Sequence, residues 1–304
     1  MFDALRCVAL SLALYAALGS LGSRVAVCQN PLLNELISQG MVFSADTQAA
    51  VLPPPFLKQG MNAEQQRAGL ALAFGERNVD RMMKKSFVSP FEFSIKELTK
   101  RTDQGTVQLI NLMFVAHGKL EDIEDRHLFD ELAIPAKRGF DGPKEEARAL
   151  TAEELASRNL VNGENADGSK TSYGVLKMYL IDKVYVTGLT SSCGASSKES
   201  LSIAFKIAPT LSDDAVVPAR WSSVTESKDG KIILGEPQKY VGVAGYATAT
   251  QLQTAESAVF VEIHVAFSEP HGWFDGRNAL RSKLPPLLQD AVRTFRRKLA
   301  EVKS

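Results

Sequence analysis

No G-x-S-x-G, H-E-x-x-H, C-x-x-C or G-x-G-x-x-G occurs in the 304 residues of this chain. The short signatures of serine hydrolases, zinc peptidases, dithiol redox proteins and dinucleotide binders are therefore missing. Cysteine is scarce: Cys7, Cys28 and Cys193. Cys7 lies in a leader-like stretch, and the other two make no disulfide framework. A Cys28–Cys193 bridge and a free, buried Cys193 both stay open. The four histidines are spread over His117, His127, His264 and His271. Neither charge is in surplus, with 35 basic and 35 acidic residues. Aromatic residues are not interleaved with basic clusters. Nucleic acid is therefore not an expected partner.

One long hydrophobic run is present. Arg6 precedes CVALSLALYAALGSLG, 16 apolar or small residues. The run is short for a membrane span and suits the core of a signal peptide. Residues 1–28 are expected to be a leader, with Ser20–Leu21–Gly22 or Ala26–Val27–Cys28 as its cleavage signal. The expected location is secreted or periplasmic, in the cell envelope. Membrane association would follow only from an uncleaved anchor or from lipidation. Val25–Ala26–Val27–Cys28 resembles a bacterial lipoprotein box, from which Val27 departs.

Residues 29–85 read helical. Asn30 and Pro31 form a cap and first-turn pair before LLNELI,. Pro53–Pro54–Pro55 acts as a stiff spacer,. Asn62 and Gln65 open a second helix as a capping box, carrying Leu70, Phe74, Val79 and Met82,. From Phe87 the period changes to two, with Phe91, Phe93 and Ile95 on one face,. Thr106–Ala116 is a continuous apolar run, as a central strand requires. Thr151 and Glu154 cap one short helix in the polar stretch 135–172. Strands resume over Val175–Thr187, Leu201–Ile207, Ile232–Leu234 and Tyr240–Leu252. TGLTSSCG, with Ser191–Ser192–Cys193, reads as a turn.

The strongest pattern is Ala258–Leu299. Val259, Val261, Ile263, Val265 and Phe267 alternate with Phe260, Glu262 and His264,. Pro270 and Gly272 stop the strand. Leu284, Leu288, Val292, Phe295, Leu299 and Val302 then recur at helical spacing, with Pro285 and Pro286 where a helix would begin,. Arg293, Arg296 and Arg297 are expected on the wet face. The fold class is α+β. An antiparallel sheet of about 6–8 strands, over residues 86–304, packs on one side against a long C-terminal helix.

Glu262, His264, Glu269, His271 and Asp275 are the densest group of chemically capable side chains. Glu262 and His264 share a strand face, so they can meet a divalent metal. His264-x4-Glu269-x6-Gly276 resembles a cupin metal motif. Glu262, however, stands where the first histidine belongs, and no second glycine–proline motif follows. The plainer reading is a polar strand face whose turn is pinned by Trp273 and Phe274. Gly163–Thr171 has one residue too many for a phosphate loop and lacks the carboxylates of a calcium loop,. No cofactor is expected beyond a possible divalent metal.

The last strand, the Pro270–His271–Gly272–Trp273 turn and the N-x-L…LP…LL…VR-x-F-R-x-L helix resemble the end of START-like, helix-grip lipid-binding domains. The resemblance covers residues 258–300. It implies a curved antiparallel sheet around a C-terminal helix, with an apolar or lipid-like ligand between them. Its residues are packing residues and imply no catalytic set. Three roles follow as expectations: binding of an apolar molecule or lipid, a metal-dependent or hydrolytic enzyme using the Glu262–Asp275 cluster, or a protein-interaction module.

Overall fold

The structure, a computed structural model, describes residues 30–43, 49–98, 105–132, 143–207, 211, 213–227, 231–253, 257–273 and 279–301. Residues 1–28, where a leader is expected, lie outside the described residues with Cys28, as do Phe274, Asp275, Gly276 and Val302. Among the described residues no helix is long and apolar enough to cross a membrane.

The core is an antiparallel sheet. Its main path runs β1 (Glu92–Glu97), β2 (Thr106–His117), β12 (Ala258–Glu269), β11 (Val243–Gln251), β7 (Ser200–Ile207), β6 (Val184–Ser196), β5 (Lys170–Leu180) and β3 (Glu146–Ala149). Short β4 (Gly163–Glu164) adds to β5. β8 (Arg220–Glu226) pairs with the first half of β6 and carries β9 (Ile232–Leu234) and β10 (Gln238–Lys239). The fold is α+β, as the alternation implies.

One face of β12 packs Val259, Val261, Ile263, Val265 and Phe267 against the C-terminal helix. That helix, Ala279–Ala300, lays Leu280, Leu284, Leu288, Val292, Phe295 and Leu299 on the sheet, all buried. It begins before the two prolines rather than at them. Leu280 and Leu284 already lie on the buried stripe, so the earlier turn is held by packing. Pro286 is exposed, as are Arg281 and Ser282 one turn back. Water can therefore replace the backbone bonds that the prolines cannot donate.

Arg296 departs from the expected wet face. It is 3% exposed and donates to the backbone oxygens of Val115, Ser89 and Pro90. Its guanidinium also sits 5.5 Å from the Phe114 ring centre. Burial brings its pKa down to about 10, so it remains a cation at neutral pH,. Arg293 and Arg297 are exposed, as expected.

The second departure is that both sheet faces are covered. α1 (Pro31–Ser38) and α2 (Ala63–Phe74) pack on the face away from the C-terminal helix. Asn30 caps α1, accepting from the Leu33 amide at 3.0 Å while its own amide donates to the Cys193 carbonyl at 2.8 Å. The α2 capping box of Asn62 and Gln65 forms as the sequence predicts,. Between the helices a strap, residues 49–57, crosses the sheet and buries Ala50, Leu52 and Leu57. TGLTSSCG is no turn but the middle of β6. Cys193 there is buried beneath α1 and free. Burial pushes its thiol pKa up, so it is not a poised nucleophile,.

Candidate functional site

Two places collect the residues of interest, one on each side of the sheet. On the outer side, neighbouring strands bring Glu262, His264, Asn111 and Thr248 together by register: Glu262 lies opposite Thr248, and His264 opposite Asn111. Glu262 and His264 are 0% and 1% exposed. The Glu262 carboxylate accepts from the Phe56 backbone amide at 3.1 Å and the Thr248 hydroxyl at 3.2 Å. His264 Nε2 lies 3.3 Å from Glu262 Oε2, and Nδ1 lies 2.6 Å from Asn111 Oδ1. The Asn111 amide donates to Ser94 Oγ, which leaves Oδ1 to accept. That assigns a proton to Nδ1 of His264. The Tyr246 hydroxyl donates to the Pro53 carbonyl at 2.7 Å, and its ring packs against His264.

These contacts fasten the strap. A buried carboxyl group is tolerated where hydrogen bonds satisfy it, and here its partners are the Thr248 hydroxyl and the Phe56 amide of the strap, with His264 Nε2 facing it. Glu269 is five residues beyond His264 and so projects from the opposite face. His271 is exposed in the turn. Among the described residues no three His, Cys, Asp or Glu side chains gather as metal ligands. The structure therefore brings together Glu262 and His264, separates Glu269 and His271 from them, and does not describe Asp275.

The inner side holds a cavity. The C-terminal half of the last helix packs solidly, with Phe295 edge-on to Phe114 at 5.3 Å and tilted against Phe129 at 6.3 Å. Under the N-terminal half, packing against the sheet is incomplete. Beneath Leu280, Leu284 and Leu288 lies a partly open apolar cavity of about 70 Å³. The space is narrow. β5 supplies Leu176, Met178 and Leu180 to its wall, and β12 supplies Val265 and Phe267. Trp273 stacks between Tyr240 at 5.4 Å and Phe267 at 6.2 Å, forming an aromatic side to the wall. Tyr240 is buried, and burial pushes its hydroxyl pKa well up, so it stays neutral. Thr190 adds one hydroxyl, which donates to the Gly174 carbonyl.

The β5–β6 turn puts Ile181 and Asp182 at φ 52° and 55°. Two consecutive residues of this kind suit the right-handed twist of the strands that the three-residue loop 181–183 joins,. For a β-branched residue the conformation is costly, of order 1–2 kcal/mol, yet Ile181 lines the cavity and is 9% exposed. The packing of its side chain against the cavity offsets that strain.

Sequence patterning identifies Val265, Phe267, Leu284 and Leu288 as core residues but not that a void separates them. The β5 residues stand about ninety residues earlier, and only sheet order brings them opposite the helix. Arg296 had a legible signal. It stands four residues from Val292 and three from Leu299, on the apolar stripe itself.

No known family model matches this chain, and no curated protein matches it. Solved structures show likeness. The lipid transfer and protein localization domain of human StarD13 aligns with 74% of this chain and 94% of its own, at 10% identity and TM-score 0.36. An uncharacterised protein from Rhizobium leguminosarum aligns with 63% and 97%, at 14% identity and TM-score 0.26. Human STARD10 aligns with 79% and 84%, at 10% identity and TM-score 0.24. Residues 258–269 fold as a strand of the antiparallel sheet and residues 279–300 as a long C-terminal helix. At such similarity the site has to be read from its own geometry.

Proposed function

We propose that this chain binds a slender apolar molecule, of the class of a lipid acyl chain, in the cavity between the sheet and the N-terminal half of the last helix. We propose further that it does so as an exported protein of a bacterial cell envelope. The export reading rests on the apolar run after Arg6,.

One observation carries the ligand reading. The same helix is close-packed over Val292, Phe295 and Leu299, whereas Leu280, Leu284 and Leu288, though buried, line a cavity. An empty apolar void destabilises a protein by about 24 cal/mol per Å³. One lined by aliphatic and aromatic side chains suits a hydrocarbon occupant,. The wall offers too few polar groups to orient a polar substrate, so recognition is by shape and exclusion of water.

Leu284→Trp fills the cavity from the helix side. A fluorescent fatty-acid analogue should bind the wild type and bind this variant at least about tenfold more weakly, the equivalent of about 1.4 kcal/mol. Leu284→Ala widens the cavity and should retain binding. Thermal melts check that both variants fold. Equal binding by all three proteins would remove the cavity as the binding site.

A further inference from the structure

The segment joining the helical turn Val79–Met82 to β1 packs Met83 and Phe91 inward but turns Phe87 and Val88 outward. Sequence alternation suggests that the strand pattern starts at Phe87, but β1 begins at Glu92. Phe87 is 49% exposed and Val88 70%. Arg81, Lys84 and Lys85 beside them are exposed as well. Residues 81–91 read RMMKKSFVSPF, with no acidic residue. Among the described residues none of the three cations forms an ion pair. The exposed Arg67, Arg293 and Arg297 do pair, with Asp80, Asp290 and Glu301 respectively.

The base of this loop is held firmly. Arg296 donates from the last helix to the carbonyls of Ser89 and Pro90. His117 Nε2 lies 3.1 Å from the Met83 carbonyl, and the Ser89 hydroxyl donates to the Lys84 carbonyl at 2.7 Å. Phe87 and Val88 are therefore presented outward on a fixed support. The surroundings are electropositive. Burial first, then the Lys85 and Arg296 cations, lowers the pKa of His117.

We propose that this loop docks on an anionic lipid bilayer, with Phe87 and Val88 entering the acyl boundary and Lys84 and Lys85 at the level of the headgroups. Two features favour a bilayer over a protein partner. A stable protein interface needs about 800 Å² per partner, far more than two side chains offer. A bilayer accepts a small apolar wedge and rewards unpaired cations beside it. The docking loop adjoins the solid half of the last helix, near Arg296, and the cavity lies under the other half. The proposal is thus independent of what occupies the cavity.

The test uses the chain as its host processes it. Sedimentation is measured with phosphatidylcholine vesicles and with vesicles that also contain phosphatidylglycerol. The wild type should bind the mixed vesicles, bind neutral ones much less, and lose binding as salt rises. Lys84→Gln with Lys85→Gln should weaken partitioning about 30-fold, from about 1 kcal/mol per basic residue. Phe87→Ser with Val88→Ser should weaken it at least about tenfold. Both variants should keep the wild-type melting temperature and the wild-type affinity for the acyl probe. A wild type that ignores mixed vesicles, or binds neutral and mixed vesicles alike, overturns the proposal. So do variants that partition like the wild type.

Discussion

Phe295→Ala should lower the free energy of unfolding by about 3–5 kcal/mol, the usual cost of emptying a well-packed aromatic site. The Phe295 ring is 0% exposed and is held between Phe114 and Phe129. It does not line the cavity, so its removal leaves a void in solid core rather than enlarging an existing space. Arg297→Ala, two residues on, should cost under about 0.5 kcal/mol. Its side chain is 58% exposed, and its contact with Glu301 is a long surface pair at 3.8 Å. Denaturant melts of the two variants make the comparison. Small, similar losses for both would mean that the helix is not packed on the sheet.

The Glu262–His264 pair sets the second large effect. Glu262→Leu leaves the Thr248 hydroxyl and the Phe56 amide without their shared acceptor and removes the group that faces His264 Nε2. His264→Leu leaves a buried carboxylate without its facing partner. Leaving a buried polar group without its hydrogen-bond partner costs about 1–3 kcal/mol. Replacing both partners by apolar groups removes the desolvation cost along with the attraction. The double variant should therefore lose clearly less than the sum of the two single losses. Because the carboxylate also holds the strap, Glu262→Leu should expose residues 49–57 to limited proteolysis more than His264→Leu does. Single losses that simply add would mean that the two side chains do not act as a pair.

Much of this architecture was legible from local pattern. Val259 to Phe267 alternate because one face meets the last helix, and Leu284 to Leu299 repeat at helical spacing because they meet that face. The Asn62–Gln65 and Thr151–Glu154 capping boxes form as written, since they need only residues three apart. What local pattern missed is set by distant chain. Glu262 and His264 read as a polar, half-wet strand face. They are buried because residues 30–43 and 49–83 fold back over that face, and alternation says nothing about a second cover. The small side chains of TGLTSSCG read as a turn. They sit in β6, where α1 packs closely on Cys193. The cavity was least legible of all. Its wall draws on strands scattered from Ile110 to Phe267, and an apolar residue beside a void looks in sequence like one in solid core.

The most direct measurement is native mass spectrometry of the protein isolated from its own host without detergent or organic solvent. The mature chain should lack the mass of roughly its first 28 residues. It should carry a second, non-covalent mass that leaves on denaturation and fragments as a lipid. The same preparation of Leu284→Trp should fly without that mass. A wild-type chain that is bare when folded, and that takes up no acyl lipid when incubated with a lipid extract, would contradict the cavity as a binding site.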